Sequence, residues 1–201
     1  MRGVGFAEHL ERFWADSAHE EIAPARAGVE QRLPGFRVRR IAPAQPRRPW
    51  VYATCGAAEA AGYGEDGAEY VLLAPAPDPA LVEMLAAVAI VNADAHPGLG
   101  VGSLLALGRP WTAASPADHL LVLPPYPFGP GFEVFEDEES ERRVVVLWLV
   151  PITGAEAQFV RAEGCEAFEE LLEGSGADVV DPARAPIVVR QHPLGDPRAE
   201  R

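Results

Sequence analysis

Seven consecutive apolar residues, Val144 to Val150, end at Pro151, and Thr153-Gly154-Ala155-Glu156 follows directly. A continuous apolar run of strand length needs cover on both faces, so it predicts a central strand. Pairing is expected to end at Pro151, which has no donor for the ladder. Thr153 and Glu156 stand at capping-box spacing, hydroxyl to the N3 amide and carboxylate back to the N-cap amide, and predict a helix start. Phe159 and Val160 give that helix its apolar side. Gly164 interrupts it, and Ala167, Phe168, Leu171 and Leu172 resume a helical stripe to Gly174.

Elsewhere the hydrophobic period changes from segment to segment. Phe6, Leu10, Phe13 and Trp14 fall at i, i+4, i+7 and i+8, an amphipathic helix ending near Ser17. Val29 to Ile41 reads as a strand broken at Pro34-Gly35. Beyond the break Phe36 and Val38 alternate with Arg37 and Arg39, which predicts one wet face. Trp50 to Cys55 is a strand by its β-branched and aromatic content. Ala57 to Gly67 reads as a loop and Glu69 to Ala74 as a further strand. Asp78-Pro79 then opens a helix to about Ala95 that is apolar nearly all round, so it must be buried against a sheet.

Residues 97 to 118 read as an irregular excursion with a short strand at Leu104 to Leu107. His119 to Leu123 is a strand stopped by Pro124-Pro125. The loop Tyr126-Pro-Phe-Gly-Pro-Gly-Phe132 follows, then an acidic hairpin tip, Glu133 to Glu141. Val179-Val180 and Ile187 to Val189 read as short extended pieces. The pattern changes period without repeating. It fits one α+β domain, a mixed sheet with helices packed around it. The expected organisation is an N-terminal helix over 1–24 that is part of the domain, the domain body over 25–190, and a loose tail over 191–201.

Composition narrows the class. At 201 residues, 48% hydrophobic and 23% charged, the chain can bury a single core. The net charge of −13 argues against nucleic-acid binding, which needs a basic footprint. The charge is uneven: residues 26 to 48 hold seven arginines against Glu30, so the remainder is more acidic still. An acidic body can steer a basic protein partner, or simply keep the chain soluble. The longest apolar stretch, Met84 to Val91, is too short to span a bilayer, so no membrane association is expected. Cys55 and Cys165 form no paired motif, which suits a reduced, cytoplasmic protein.

Candidate chemistry is sparse. Asp94, His96, Asp118 and His119 are metal-ligand types, but their spacing matches no metal motif, and residues two apart do not share a helix face. No G-x-S-x-G elbow surrounds a serine. Gly98-Leu-Gly-Val-Gly102 follows a helix and carries no lysine, unlike a phosphate loop. Cys55 lacks a cationic neighbour to lower its pKa and reads as a packing residue. The sequence points to no catalytic residue and no cofactor, and a metal-dependent enzyme is the weakest reading.

Partner-binding candidates are better defined. The strand with Arg37, Arg39 and Arg40 suits a charged sheet edge to which a peptide could add. Trp111, Tyr126 and Phe128 lie in turn-rich sequence, where an aromatic is either an interface anchor or a cap on the core. Glu136, Asp137 and Glu138 at the acidic tip suit a basic partner. Thr153 and Glu156 are assigned to capping.

One combination of segments resembles a known family. Trp50-Val-Tyr-Ala-Thr-Cys-Gly56, the strand Glu69 to Pro75 with its apolar helix, Leu120 to Pro125, Val144 to Val160 and Asp181 to Val189 together are similar to the suppressor of fused family, in its compact bacterial form. The resemblance spans about residues 25 to 190. Its most specific parts are W-x-Y-x-T-x-G and the strand–Pro-Ile-Thr-x-x-Glu–helix joint. It implies an α+β fold with a mixed, curved sheet, and a protein-binding rather than catalytic role. In animals such proteins sequester transcription factors of the Hedgehog pathway by gripping an extended peptide. Bacterial members are thought to include immunity proteins that neutralise partner toxins. The resemblance therefore implies a toxin or a regulatory protein as partner.

Overall fold

The computed structural model describes residues 5–60, 66–95, 98–137 and 142–188. Its strands are β1 (His19–Ile22), β2 (Arg37–Ile41), β3 (Trp50–Cys55), β4 (Asp66–Ala74), β5 (Leu104–Ala106), β6 (His119–Leu123), β7 (Val134–Asp137) and β8 (Arg142–Ile152). Its helices are α1 (Phe6–Phe13), α2 (Val29–Arg32), α3 (Ala57–Ala60), α4 (Ala80–Asp94), α5 (Gly154–Glu163) and α6 (Cys165–Ser175). The strands form one mixed sheet in the order β1-β2-β3-β4-β8-β6-β5, with β7 also on β8. β4 and β8 run parallel and every other pair is antiparallel. The chain is a single α+β domain.

The apolar run sits where its pattern requires. Leu147 and Leu149 enter one core with Tyr52, Tyr70, Leu72 and α4. Val146, Trp148 and Val150 enter the other, with Phe6 and Leu10 of α1, Ala157 and Val160 of α5, and Phe168 of α6. α4 buries Leu81, Leu85, Val88 and Ala89 against the sheet. The Asp78 carboxylate accepts from the Ala80 amide at 2.8 Å. A cap contributes about 1 kcal/mol and each large buried aliphatic roughly 1.5–3 kcal/mol, so burial rather than the cap fixes this helix.

Several expectations need correction. Pairing does not end at Pro151: β8 runs on to Ile152, opposite His119 of β6. The β4 ladder has already stopped at Leu149, so the proline falls on a stretch held from one side, where a missing donor is tolerated. Val29 to Arg32 is a helical turn, because Val29 and Leu33 bury one face at i, i+4 spacing. Ala57 to Ala60 is helical where a loop was expected. β1 replaces part of the segment read as loop. Val179, Val180, Ile187 and Val188 are turns and bends whose side chains pack on the second core, not strands. Val189 and the expected tail over 191–201 lie outside the described residues.

Candidate functional site

The most specific sequence marks build the scaffold. In W-x-Y-x-T-x-G, the Tyr52 hydroxyl accepts from the Asp78 amide at 2.8 Å. The Thr54 hydroxyl accepts from the Tyr70 amide at 2.8 Å and donates to Glu69 at 2.5 Å. Glu69 also accepts from the Gly56 amide at 2.8 Å and the Ala58 amide at 3.2 Å, so it ties β4 to the start of α3. Gly56 has φ +102°, and a Cβ there would meet the Phe36 backbone at 3.3 Å. Burial pushes the Glu69 carboxyl up, and these hydrogen bonds only partly offset it.

The second joint is the expected capping box. The Thr153 hydroxyl accepts from the Glu156 amide at 3.3 Å, and the Glu156 carboxylate accepts from the Thr153 amide at 2.7 Å. The same carboxylate, fully buried, takes two hydrogen bonds from Arg184 at 2.7 and 2.9 Å and one from the Ile187 amide at 2.9 Å. Arg184 also donates to the Pro151 carbonyl at 3.0 Å. Burial opposes the charge on Glu156, but Arg184 and the two amides overcome it and hold the carboxyl below its usual range. Sequence reading missed both Glu69 and Arg184. A lone acid two residues before Val71, on a strand face that is otherwise apolar, was the available signal for the first.

The arginine strand is not an open edge. β1 covers β2 on one side and β3 on the other. Its arginines are spent within the molecule. Arg37 meets Glu30 at 3.3 Å, and Arg39 meets Glu11 of α1 at 2.6 Å and Glu21 of β1 at 3.4 Å. Arg40 pairs with Glu20 and lies over the Trp50 ring, 5.5 Å from its centroid. The face expected to be wet is closed at Arg39, only 9% exposed, because α1 and β1 bring carboxylates to it.

The aromatic loop divides. Trp111 is buried in the α4 core and donates its indole N–H to Ser115 at 2.8 Å. Phe128 stacks edge-on with Trp14 and Phe132 at 5.3 and 4.9 Å. Tyr126 is 56% exposed. The loop leaves the sheet where β8 changes partner, from β7 at Val145 to β6 at Trp148. At the acidic tip Glu136 is exposed and lies opposite Arg143 in the hairpin register. Asp137 ends β7, and Glu138 falls outside the described residues.

Beside Tyr126 lies a groove of about 750 Å3. Leu123, Trp148, Leu172 and Val179 line it, and α6 edges it with Glu166, Glu169, Glu170 and Glu173. Glu169 accepts from the Tyr126 hydroxyl at 2.7 Å and from the Cys165 thiol at 3.2 Å. The Tyr126 hydroxyl is pushed up to about 12, first by that bond to Glu169 and then by burial. Among the described residues Glu166, Glu170 and Glu173 enter no ion pair. Helix α6 carries no basic residue.

The candidate catalytic groups are engaged structurally. Asp94 receives Arg32 at 2.5 Å, and Asp118 contacts His119 Nδ1 at 2.7 Å. His96 lies outside the described residues, and among those described no three His, Cys, Asp or Glu side chains converge as a metal site requires. Burial, with Glu69 adding to it, pushes the Cys55 thiol well above its usual range, so it is no ready thiolate. No helix among the described residues is long and apolar enough to cross a membrane.

Comparison with known proteins agrees with this geometry. The family model for suppressor of fused protein matches residues 32–185. The chain is similar in structure to a suppressor of fused homolog from Neisseria gonorrhoeae, with TM-score 0.81 and 28% identity over 92% of this chain and 95% of that one. The fold also matches a chain in a Sufu–Fu complex, TM-score 0.64 at 12% identity over 90% of each chain. Drosophila suppressor of fused matches with TM-score 0.65 at 13% identity, over 91% of this chain and 50% of that one. No curated protein sequence matches the chain.

Proposed function

We propose, from the premise that the chain belongs to the suppressor of fused family, that it is a non-catalytic protein-binding domain that neutralises a basic partner toxin. The observation that carries this reading is the distribution of unanswered charge. Four arginines of the basic segment are in ion pairs within the molecule, while three glutamates of α6 are not. The outward field of a chain with net charge −13 is thus acidic, and it favours fast encounter with a basic protein. The raised thiol of Cys55 and the absence of a convergent ligand set among the described residues favour binding over catalysis. Two free cysteines suit action in the cytoplasm.

A second reading is a regulator that sequesters a cellular protein. It is favoured by the relative of like fold crystallised in a Sufu–Fu complex. Co-expression with the effector proteins encoded beside this chain separates the two. The toxin reading predicts a stable complex and restored growth with one of them. Failure to bind or protect against any of them overturns it.

A further inference from the structure

We infer that the groove between α6 and the sheet is the docking site for an amphipathic protein segment, whose apolar side chains fill the Leu123–Trp148–Leu172–Val179 floor and whose arginines or lysines meet Glu166, Glu170 and Glu173. The inference rests on the protein-binding reading above and gives it a place and a chemistry.

Three independent features of the groove agree on that occupant. Its floor is apolar, with Leu172 and Val179 only partly covered and exposed Tyr126 at its mouth. Its volume of about 750 Å3 admits several side chains of a peptide. Its rim is of one sign: α6 offers four glutamates and no cation, and Glu166, Glu170 and Glu173 are exposed. Successive i, i+3 and i, i+4 spacing places Glu166, Glu169, Glu170 and Glu173 along one side of the helix, a line of like charge that costs the free protein and that a basic segment relieves. Glu169 is held apart from that role by Tyr126 and Cys165. Trp148, 7% exposed, lines the floor with its indole Nε1 buried and without a hydrogen-bond partner, a donor that a segment seated there can satisfy. An acidic or purely polar segment would meet repulsion at the rim and leave the floor wet.

The test is fluorescence anisotropy with two labelled synthetic peptides of equal charge. One is an arginine- and leucine-bearing amphipathic helix, and the other has the same composition scrambled. Each is titrated with the wild-type protein, with a Glu166→Lys/Glu170→Lys/Glu173→Lys variant, and with a Glu8→Lys/Glu20→Lys/Glu83→Lys variant of identical net charge. Circular dichroism confirms that each variant is folded. We expect the amphipathic peptide to bind wild type and the remote variant alike, and the α6 variant at least about tenfold more weakly. Leu172→Asp should weaken it similarly without changing net charge by more than one. Equal loss in both triple variants, equal binding of the scrambled peptide, or no binding of the amphipathic peptide overturns the inference. A chain that protects against an effector while failing these tests keeps its proposed function and loses only this site.

Discussion

Strand β2 and helix α6 are the two most highly charged segments of this chain, and they use charge in opposite ways. β2 presents Arg37, Arg39 and Arg40 to carboxylates supplied by α1, β1 and α2, so its charge is neutralised within the fold. α6 presents Glu166, Glu170 and Glu173 to solvent beside an apolar groove. The basic segment, conspicuous in sequence, is structural, while the acidic helix, unremarkable in sequence, holds the free charge. Charge density along a chain therefore does not locate a binding face; charge left over after folding does.

Arg184 is the extreme case of charge consumed internally, and its removal should have the largest effect. Arg184→Met strands a buried carboxylate and should cost about 3–5 kcal/mol at pH 7, read by denaturant unfolding. The sign with pH is fixed. Arg184 holds the Glu156 carboxyl below its ordinary 4.5, so its contribution is present above that value and is lost as pH falls through the lowered one. The gap between wild type and variant should narrow on acidification below 4.5. A gap that stays constant with pH would show that the pair does not carry the difference.

Arg39→Met comes next. The arginine is buried but its partners Glu11 and Glu21 are half exposed and can rehydrate, so we expect a loss of about 1–2 kcal/mol. Peptide binding at α6 should be unchanged. A parallel loss of binding would mean that β2 contributes to the partner face after all.

Glu69 sharpens the contrast from the other side, as a buried carboxylate with no cation. Its carboxyl is raised, so the folded state favours the proton and stability falls as pH rises above the ordinary 4.5. Glu69→Gln should cost less than about 1 kcal/mol near pH 4 and gain on wild type as pH increases. Thermal unfolding across pH reads this directly, and a variant that loses ground with rising pH contradicts it. Smallest in stability is the α6 triple lysine substitution, at within about 0.5 kcal/mol per surface site. Its consequence is confined to binding.

Much of the scaffold was legible in sequence because burial imposes a period. The run Val144 to Val150, the all-apolar α4 and the capping box Thr153–Glu156 were each forced by elementary constraints, and the family resemblance agreed. Misreadings arose where tertiary partners decide. β1, with the sequence His-Glu-Glu-Ile, is a strand only because β2 lies beside it. Pro151 stays in the sheet because only β6 flanks it there. Trp111 and Tyr126 occur in similar turn-rich sequence, yet one is 1% exposed and the other 56%. The groove was illegible because Leu123, Trp148 and Leu172 come from three elements, and each reads as core when taken alone.

Hydrogen exchange with and without the amphipathic basic peptide tests the central claim most directly, since it reads both charged segments at once. The account predicts added protection at residues 165–176 and at 123–126, with none at residues 37–41. Protection confined to 37–41, or to the hairpin around Glu136, would contradict it.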